Sequence, residues 1–246
     1  MESTKPSTVA CPQYKRVLVK LSGEALLGSR EYGIDPGTVR RFALELKAIL
    51  EGGKEVCVVI GGGNIFRGAA AESNGLDRAT GDYVGMLATI MNALVLQSAL
   101  ERMNVNAPVV SGLSMPSVCR NYNRQECLKN LKDKKIVIFA AGSGNPFFTT
   151  DTAAALRAAE MECDAILKAT KVDGVYNDDP IKNPAAKKFE RLTYEEVLVK
   201  NYKVMDAAAI SIARDNKIPI MIFSLLKDGN IEKASCQQGE FTIIVN

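Results

Sequence analysis

The sequence predicts an α/β fold, a three-layer α/β/α sandwich around a mostly parallel central sheet. Three observations predict it. Apolar, β-branched runs alternate with segments of helical spacing from end to end. Several of those runs are apolar throughout, as strands buried on both faces must be. Most of them run into loops rich in Gly, Ser, Thr or Asn, where ligands of such sheets bind.

Taken in order, Arg16 to Leu21 (RVLVKL) reads as the first strand and SGEALLGSREYGI as a glycine-spaced loop. Asp35-Pro36 starts a helix, Asp as N-cap and Pro at the first helical position. Val39, Phe42, Ala43, Leu46, Ile49 and Leu50 continue it at helical spacing, and Gly52-Gly53 stops it. EVCVVI at 55–60 is the second strand, and Gly61 to Gly68 is a loop. Val84, Leu87, Met91, Leu94, Val95 and Ser98 mark a long helix. APVVS at 107–111 is a strand, and a helix is expected near 123–131. KIVIFA at 135–140 is a strand, AGSGNPFFTTD a loop, 151–161 an alanine-rich helix and DAILKAT at 164–170 another strand. A polar loop follows, then helices near 193–200 and 206–215. IPIMIF at 218–223 and FTIIV at 241–245 are the last strands. With no internal repeat, low-complexity tract or linker, the expected organisation is a flexible tail over 1–13 and a single domain over 14–246.

Composition narrows the function. Of 246 residues, 47% are apolar and 24% charged, as in a soluble globular protein able to bury a sizeable core. The net charge of +3 is spread without a basic stripe, and KDKK at 132–135 is a short flank of a strand, so nucleic acid is not an expected partner. Cys11, Cys57, Cys119, Cys127, Cys163 and Cys236 form no C-x-x-C pair and read as reduced thiols. The N-terminal residues show no signal-peptide core, and no apolar run approaches the roughly 20 residues that span a bilayer, so a cytoplasmic protein without membrane contact is expected. There is no histidine. Mechanisms that need a His base, a His triad or a His metal ligand are excluded.

The chemistry is expected at the strand ends. Lys20-Leu21-Ser22-Gly23, Gly61-Gly62-Gly63-Asn64, Gly142-Ser143-Gly144-Asn145 and Lys168-Ala169-Thr170-Lys171 each end or follow a strand. Glycines let backbone N–H groups approach phosphate oxygens, and helix N-termini add partial positive charge. The P-loop pattern and the G-x-G-x-x-G pattern are both absent, with Phe66 and Phe147 where last glycines would stand. Lys20 is either a snorkelling lysine at a strand end or a point charge for a phosphate; Ser22 and Gly23 favour the second. Arg67 is a solvated loop residue or a two-oxygen clamp. Asp82, Asp151 and Asp206 stand near helix starts and read either as N-caps or as site carboxylates. Phe147-Phe148 are core, or the wall of a base pocket.

KLSGEAL, VIGGGNIFRG, GDYVGMLAT, GSGNPFFTTD, LKATKVDGVY, DP and KVMD, in this order over about residues 14–224, resemble the bacterial UMP kinases of the amino acid kinase family. The resemblance implies that family's fold, a homohexamer, and phosphoryl transfer from ATP, with Mg²⁺, to UMP. It places Lys20, Leu21, Ser22, Gly23 and Gly63 around the ATP phosphates, and Thr170, Tyr176 and Asp179 around the adenosine. Gly62, Asp82, Ser143, Gly144, Asn145, Pro146, Phe147, Phe148, Thr149 and Thr150 match the UMP site. Arg67 falls between the nucleotides, and Asp151 and Asp206 match acidic residues that organise the catalytic lysine and the phosphates. Ser143 replaces the Thr of many relatives, and Tyr83 the His of some. Gly28 to Gly33 aligns with a segment tied to GTP activation in some members; UTP inhibition is the companion expectation. Rival readings are a kinase with a carboxylate or carbamate acceptor, and a non-catalytic nucleotide or oxyanion binder on the same fold.

Overall fold

The computed structural model describes residues 14–66, 75–178, 180 and 182–246. The expected tail over 1–13, together with Arg67 and Asp179, lies outside the described residues.

The strands are β1 (Arg16–Leu21), β2 (Glu55–Ile60), β3 (Val109–Ser111), β4 (Arg120–Asn121), β5 (Val137–Ala140), β6 (Ala165–Thr170), β7 (Val175–Tyr176), β8 (Lys188–Phe189), β9 (Arg191–Thr193), β10 (Ile220–Ser224) and β11 (Thr242–Val245). The helices of these residues are α1 (Pro36–Glu51), α2 (Arg78–Glu101), α3 (Arg124–Lys132), α4 (Thr150–Glu160), α5 (Tyr194–Val199), α6 (Ala207–Asp215) and α7 (Asn230–Ser235). The main sheet runs β4-β3-β5-β2-β1-β6-β10-β11-β9. Its pairings are parallel except β10 with β11. The expected three-layer, mostly parallel architecture is therefore the observed one.

Strand alternation sorts the core into two layers. Val17, Val19 and Leu21 face a cluster with α1 and α2, containing Phe42, Leu46, Ile90 and Leu96. Leu18 and Ile166 face the opposite cluster with α3, α4 and α6, containing Leu131, Ala154, Ala158 and Ile210. Lys20 shares the face of Leu18, and Lys168 that of Ile166. Both lysines thus project toward α4. Adjacent strands pair them in register, Lys20 opposite Lys168. No contiguous sequence signal reveals that juxtaposition.

Several local expectations change. The loop after β1 contains a 3₁₀ helix, Gly23–Leu27. The long helix begins earlier than its apolar spacing indicates, because Asp77 caps it through Thr80 N. Asp82 therefore lies one turn inside α2 and is not its cap. Asp151 is not a cap either: Thr149 accepts from Asp151 N and Thr152 N. Asp206 does cap α6, through Ala209 N at 2.8 Å. The polar loop after β6 contains the β7–β8 hairpin, whose two-residue strands carry too little pattern to read. β4, β9 and α7 went unread for the same reason of length.

Among the described residues one helix, α2, is long and apolar enough to cross a membrane. Counting unbroken apolar runs misses it, since Asp82, Asn92 and Gln97 interrupt the run. Here Met86, Ile90, Ala93, Leu96 and Leu100 of α2 are buried in the core. Cys57, Cys119, Cys127 and Cys163 are free thiols, but Cys236 is disulfide-bonded, which corrects the reading of all six as reduced.

Candidate active site

The parallel strands end together, and their loops enclose two cavities, linked by the ion pair of Lys20, on the larger, with Asp151 of α4, next to Thr150 on the smaller. The larger measures about 790 Å³ and is lined by Lys20, Ser22, Lys168, Thr170, Tyr176 and Val204 among others. The smaller, about 160 Å³, is lined by Gly62, Gly63, Asp82, Ser143, Phe148, Thr149 and Thr150 among others. A further polar cavity of about 800 Å³ opens beside β3 and β4, and none of the sequence-derived site residues lines it.

At the junction, Lys20 and Lys168 are both buried and share one carboxylate. Lys20 Nζ lies 2.8 Å from Asp151 Oδ1, and Lys168 Nζ donates to Asp151 Oδ2 at 2.5 Å. The Lys20 contact is ionic in distance yet off hydrogen-bond angle, so Oδ1 has no hydrogen-bond donor. Lys168 also donates to Val204 O. Burial pushes the Asp151 pKa up, but Lys20 and Lys168 outweigh it and hold the carboxyl below its ordinary range. Burial pulls the Lys168 ammonium down, against the pull of Asp151, with Lys20 adding to the lowering. Two ammoniums against one carboxylate leave positive charge at a buried strand end, where the medium screens it weakly.

Asp206 ties the helices together beside this cluster. Its Oδ1 accepts from Thr152 Oγ1 at 2.8 Å, and its Oδ2 from Thr149 Oγ1. The start of α4 is thereby fixed against α6, with Thr149 and Thr150 on the smaller cavity and Asp151 on the lysines.

The glycine loops pack at backbone distance. A Cβ on Gly23 would stand 2.5 Å from Gly63 N, and one on Gly62 would stand 2.8 Å from Gly85 O. Side chains there would push apart the loops after β1 and β2, and the second loop from α2. Gly63, expected on the ATP side, lines the smaller cavity while touching Gly23. Leu21 is fully buried in the core, which leaves only its backbone for a ligand.

Asp82 receives Arg78 Nε, at 3.1 and 3.0 Å to its two oxygens, and Phe147 N at 2.7 Å. That bond holds Phe147 at φ +72°, a left-handed conformation that is uncommon for an aromatic residue. Phe148 lines the smaller cavity; Phe147 is exposed and, with Gly144, Asn145 and Pro146, is not among its lining residues. Across the larger cavity, Tyr176 donates to Asp173 at 2.6 Å, and that bond pushes its pKa up to about 12.

Sequence reasoning placed Lys168 in a strand-end segment but gave it no role of its own. Its signal was a lone charge in an apolar strand, AILKAT, matching Lys20 in RVLVKL.

A sheet edge that gathers buried ammoniums and glycine loops between two cavities is built for phosphoryl transfer between two ligands. The chain belongs to the amino acid kinase family, whose model matches residues 15–224. It is 54% identical over 234 residues to the uridylate kinase of Paramagnetospirillum magneticum, covering 95% of this chain and 98% of that one. Identity to the uridylate kinase of Erythrobacter litoralis is 52% over 238 residues, or 97% and 100% of the two chains. The crystal structure of UMP kinase from Bacillus anthracis superimposes with a TM-score of 0.91 at 40% identity, covering 95% of this chain and 97% of that one. UMP kinase from Ureaplasma parvum gives 0.91 at 36% identity, with 96% and 100% covered.

Proposed function

We propose that this chain transfers the γ-phosphoryl group of ATP directly onto the phosphate of UMP, giving UDP and ADP. The observation that carries the proposal is that Lys20, on the larger cavity, is paired with Asp151 of α4, whose neighbour Thr150 lines the smaller one. The larger cavity, walled by Thr170, Val172, Tyr176, Ile222 and Leu225, takes ATP. The smaller takes UMP, with Asp82 on the ribose hydroxyls and Phe148 at the base. The outward-facing run from Gly144 to Phe147 is assigned to UMP with it, and Arg67 and Asp179 complete the set as the resemblance places them.

UMP needs no base to become a nucleophile. A phosphate monoester has a second pKa near ~6, so UMP is mostly dianionic at neutral pH. One of its oxygens forms a bond to the γ-phosphorus while the bond from that phosphorus to the β-bridging oxygen breaks. ADP leaves on the opposite side. The protein has only to align the partners and stabilise charge. Lys20 and Lys168 face the transferring group, and Asp151 fixes both ammoniums where charge develops. Asp206 acts through α4, by holding Thr149 and Thr152.

Among the described residues, no group of three His, Cys, Asp or Glu side chains could hold a metal ion by itself. A magnesium ion carried on the ATP phosphates would keep much of its water. Bound with ATP, it would supply charge neutralisation on the phosphates, beside the ammoniums of Lys20 and Lys168.

The proposal extends to a cytoplasmic homohexamer regulated by GTP and UTP. Support for self-association comes from α2, where Tyr83, Leu87, Met91 and Val95 form an exposed apolar stripe at four-residue spacing.

The test is ADP release with ATP, Mg²⁺ and each of UMP, CMP, dUMP and AMP. UMP is expected to be the preferred acceptor. Turnover with a carboxylate or carbamate and none with UMP would overturn the assignment.

A further inference from the structure

Next to the glycine loop that lines the smaller cavity lies a buried pair of amides that the mechanism above does not use. Asn64 follows the triple glycine, and Asn92 sits in the middle of α2. Their side chains are 3% and 0% exposed. Asn64 Nδ2 donates to Asn92 Oδ1 at 3.0 Å, and Asn92 Nδ2 returns a bond to Asn64 Oδ1 at 2.7 Å. Each amide spends its other N–H on a backbone carbonyl: Asn64 on Gly33 O at 2.9 Å, Asn92 on Gly61 O at 2.7 Å. Turning either amide over would set NH₂ against NH₂ and leave an oxygen facing a carbonyl. The four bonds therefore admit one arrangement.

The pair touches the loop after β2, the turn after β1, the 28–33 segment and α2. Gly61 N donates to Leu21 O, so the loop that Asn92 grips is continuous with the β1 end carrying Lys20. A Cβ on Gly23 would come within 2.7 Å of Asn64 Oδ1, which places the amide directly beneath the 22–24 turn. Gly33 N donates to Asn64 O at 3.1 Å, binding the 28–33 segment to the same point. On α2, Asn92 lies one turn from Thr89, which lines the smaller cavity and accepts Ala141 N at 2.7 Å. The loop carrying Gly62 and Gly63 thus hangs from α2 and from the β1 turn through one amide pair.

We infer that Asn64 and Asn92 are positioning residues that set the Gly61–Gly63 loop relative to both nucleotide cavities, and so hold donor and acceptor phosphates in line. The inference rests on the kinase reading above. A fully satisfied buried polar network fixes a single geometry, which an apolar contact of equal volume does not. In-line transfer is sensitive to such placement: about 1 Å of misplacement costs roughly 100-fold in rate. Gly62 and Gly63 line the smaller cavity themselves, but Asp82 is held by Arg78 and Phe147 N and the adenosine wall stands on other loops, so ground-state binding is largely retained.

The experiment compares wild type, Asn92→Leu, Asn64→Leu and the double variant in steady-state UDP formation, alongside thermal unfolding. Asn92→Leu keeps the volume and removes the amide; its kcat falls about 30- to 100-fold, while KM for ATP and for UMP each change less than about threefold. The double variant is no slower than the worse single one, because the pair acts as a unit. Asn92→Asp, which keeps the shape and loses both donated bonds, to Gly61 O and to Asn64 Oδ1, shows the same kcat-only defect and serves if the leucine variants do not fold. A variant of lowered melting temperature but with kcat within twofold of wild type overturns the inference, as does additive loss in the double variant. Failure of every variant to fold also counts against it, since the pair would then serve the fold alone. An inactive wild type would instead overturn the kinase reading.

Discussion

The glycine loop beside the smaller cavity hangs on buried bonds, whereas the 22–24 turn and the loop after β6, beside the larger one, are tied by an ion pair that faces water. Beside the first, the Gly61–Gly63 loop is held by the Asn64–Asn92 amides, and the loop after β5 by Thr89 Oγ1. Across the second, Lys171 pairs with Glu24 at 2.9 Å with side chains 68% and 35% exposed, and the β7–β8 hairpin has two residues in each strand. The contrast teaches a division of labour. The glycine loop on the proposed acceptor side is preorganised, because buried satisfied networks open rarely. The proposed donor side combines an exposed tie worth little in water with buried bonds such as Val175 N to Thr242 Oγ1, so that its outer wall is free to adjust around a large nucleotide.

The Lys20–Lys168–Asp151 cluster stands where the two regimes meet, and it breaks the comparison most severely when damaged. Lys20→Met should lower kcat by about 1,000-fold or more, as the loss of a charge aimed at the transferring group does. Asp151 and Lys168 remain paired, so melting temperature should move little. A kcat near wild type would remove Lys20 from the chemistry.

Asp151→Asn attacks the same point from the side of stability. It leaves two buried ammoniums without their shared carboxylate, at an expected cost of about 3 kcal/mol by urea unfolding. The pH dependence follows from the lowered pKa of Asp151. The folded value lies below the unfolded one, near ~3.9, so the stabilisation is complete above about pH 4 and is lost as pH falls through the folded value. The stability gap between wild type and Asp151→Asn should therefore shrink in acid. A gap that widened below pH 4 would contradict the assignment.

These effects were unevenly legible in the sequence. Strand β1 and its Lys20 were readable, because one charge at the end of an apolar run stands out. Lys168 carries the same signal, but its meaning depends on β1 pairing with β6, a contact far apart along the chain. Asp82 and Asp151 looked like helix caps until the structure gave that role to Asp77 and Thr149, leaving both carboxylates for the site. The β7–β8 hairpin was unreadable for another reason: strands of two residues have no periodicity, and Val175 N is held by Thr242 Oγ1 from the far end of the chain. Local pattern reports the frame, while long-range register decides which side chains meet.

Smaller effects sharpen the comparison. Asp82→Asn should raise KM for UMP about tenfold, or roughly 1.4 kcal/mol, and leave KM for ATP unchanged. A change confined to ATP would reverse the assignment of the cavities. Lys171→Ala should be the mildest, changing KM for ATP and kcat by less than about twofold, since exposed ion pairs contribute about 0–1 kcal/mol. A tenfold defect there would mean that the donor side is locked as firmly as the acceptor side.

The central claim is direct contact between the two phosphates across Lys20. ATP made chiral at a γ-thiophosphate tests it most directly, through the configuration of the thiophosphoryl group in the UDP analogue formed. A single in-line displacement predicts inversion at phosphorus. Net retention would reveal a phosphorylated intermediate on the protein and contradict the account.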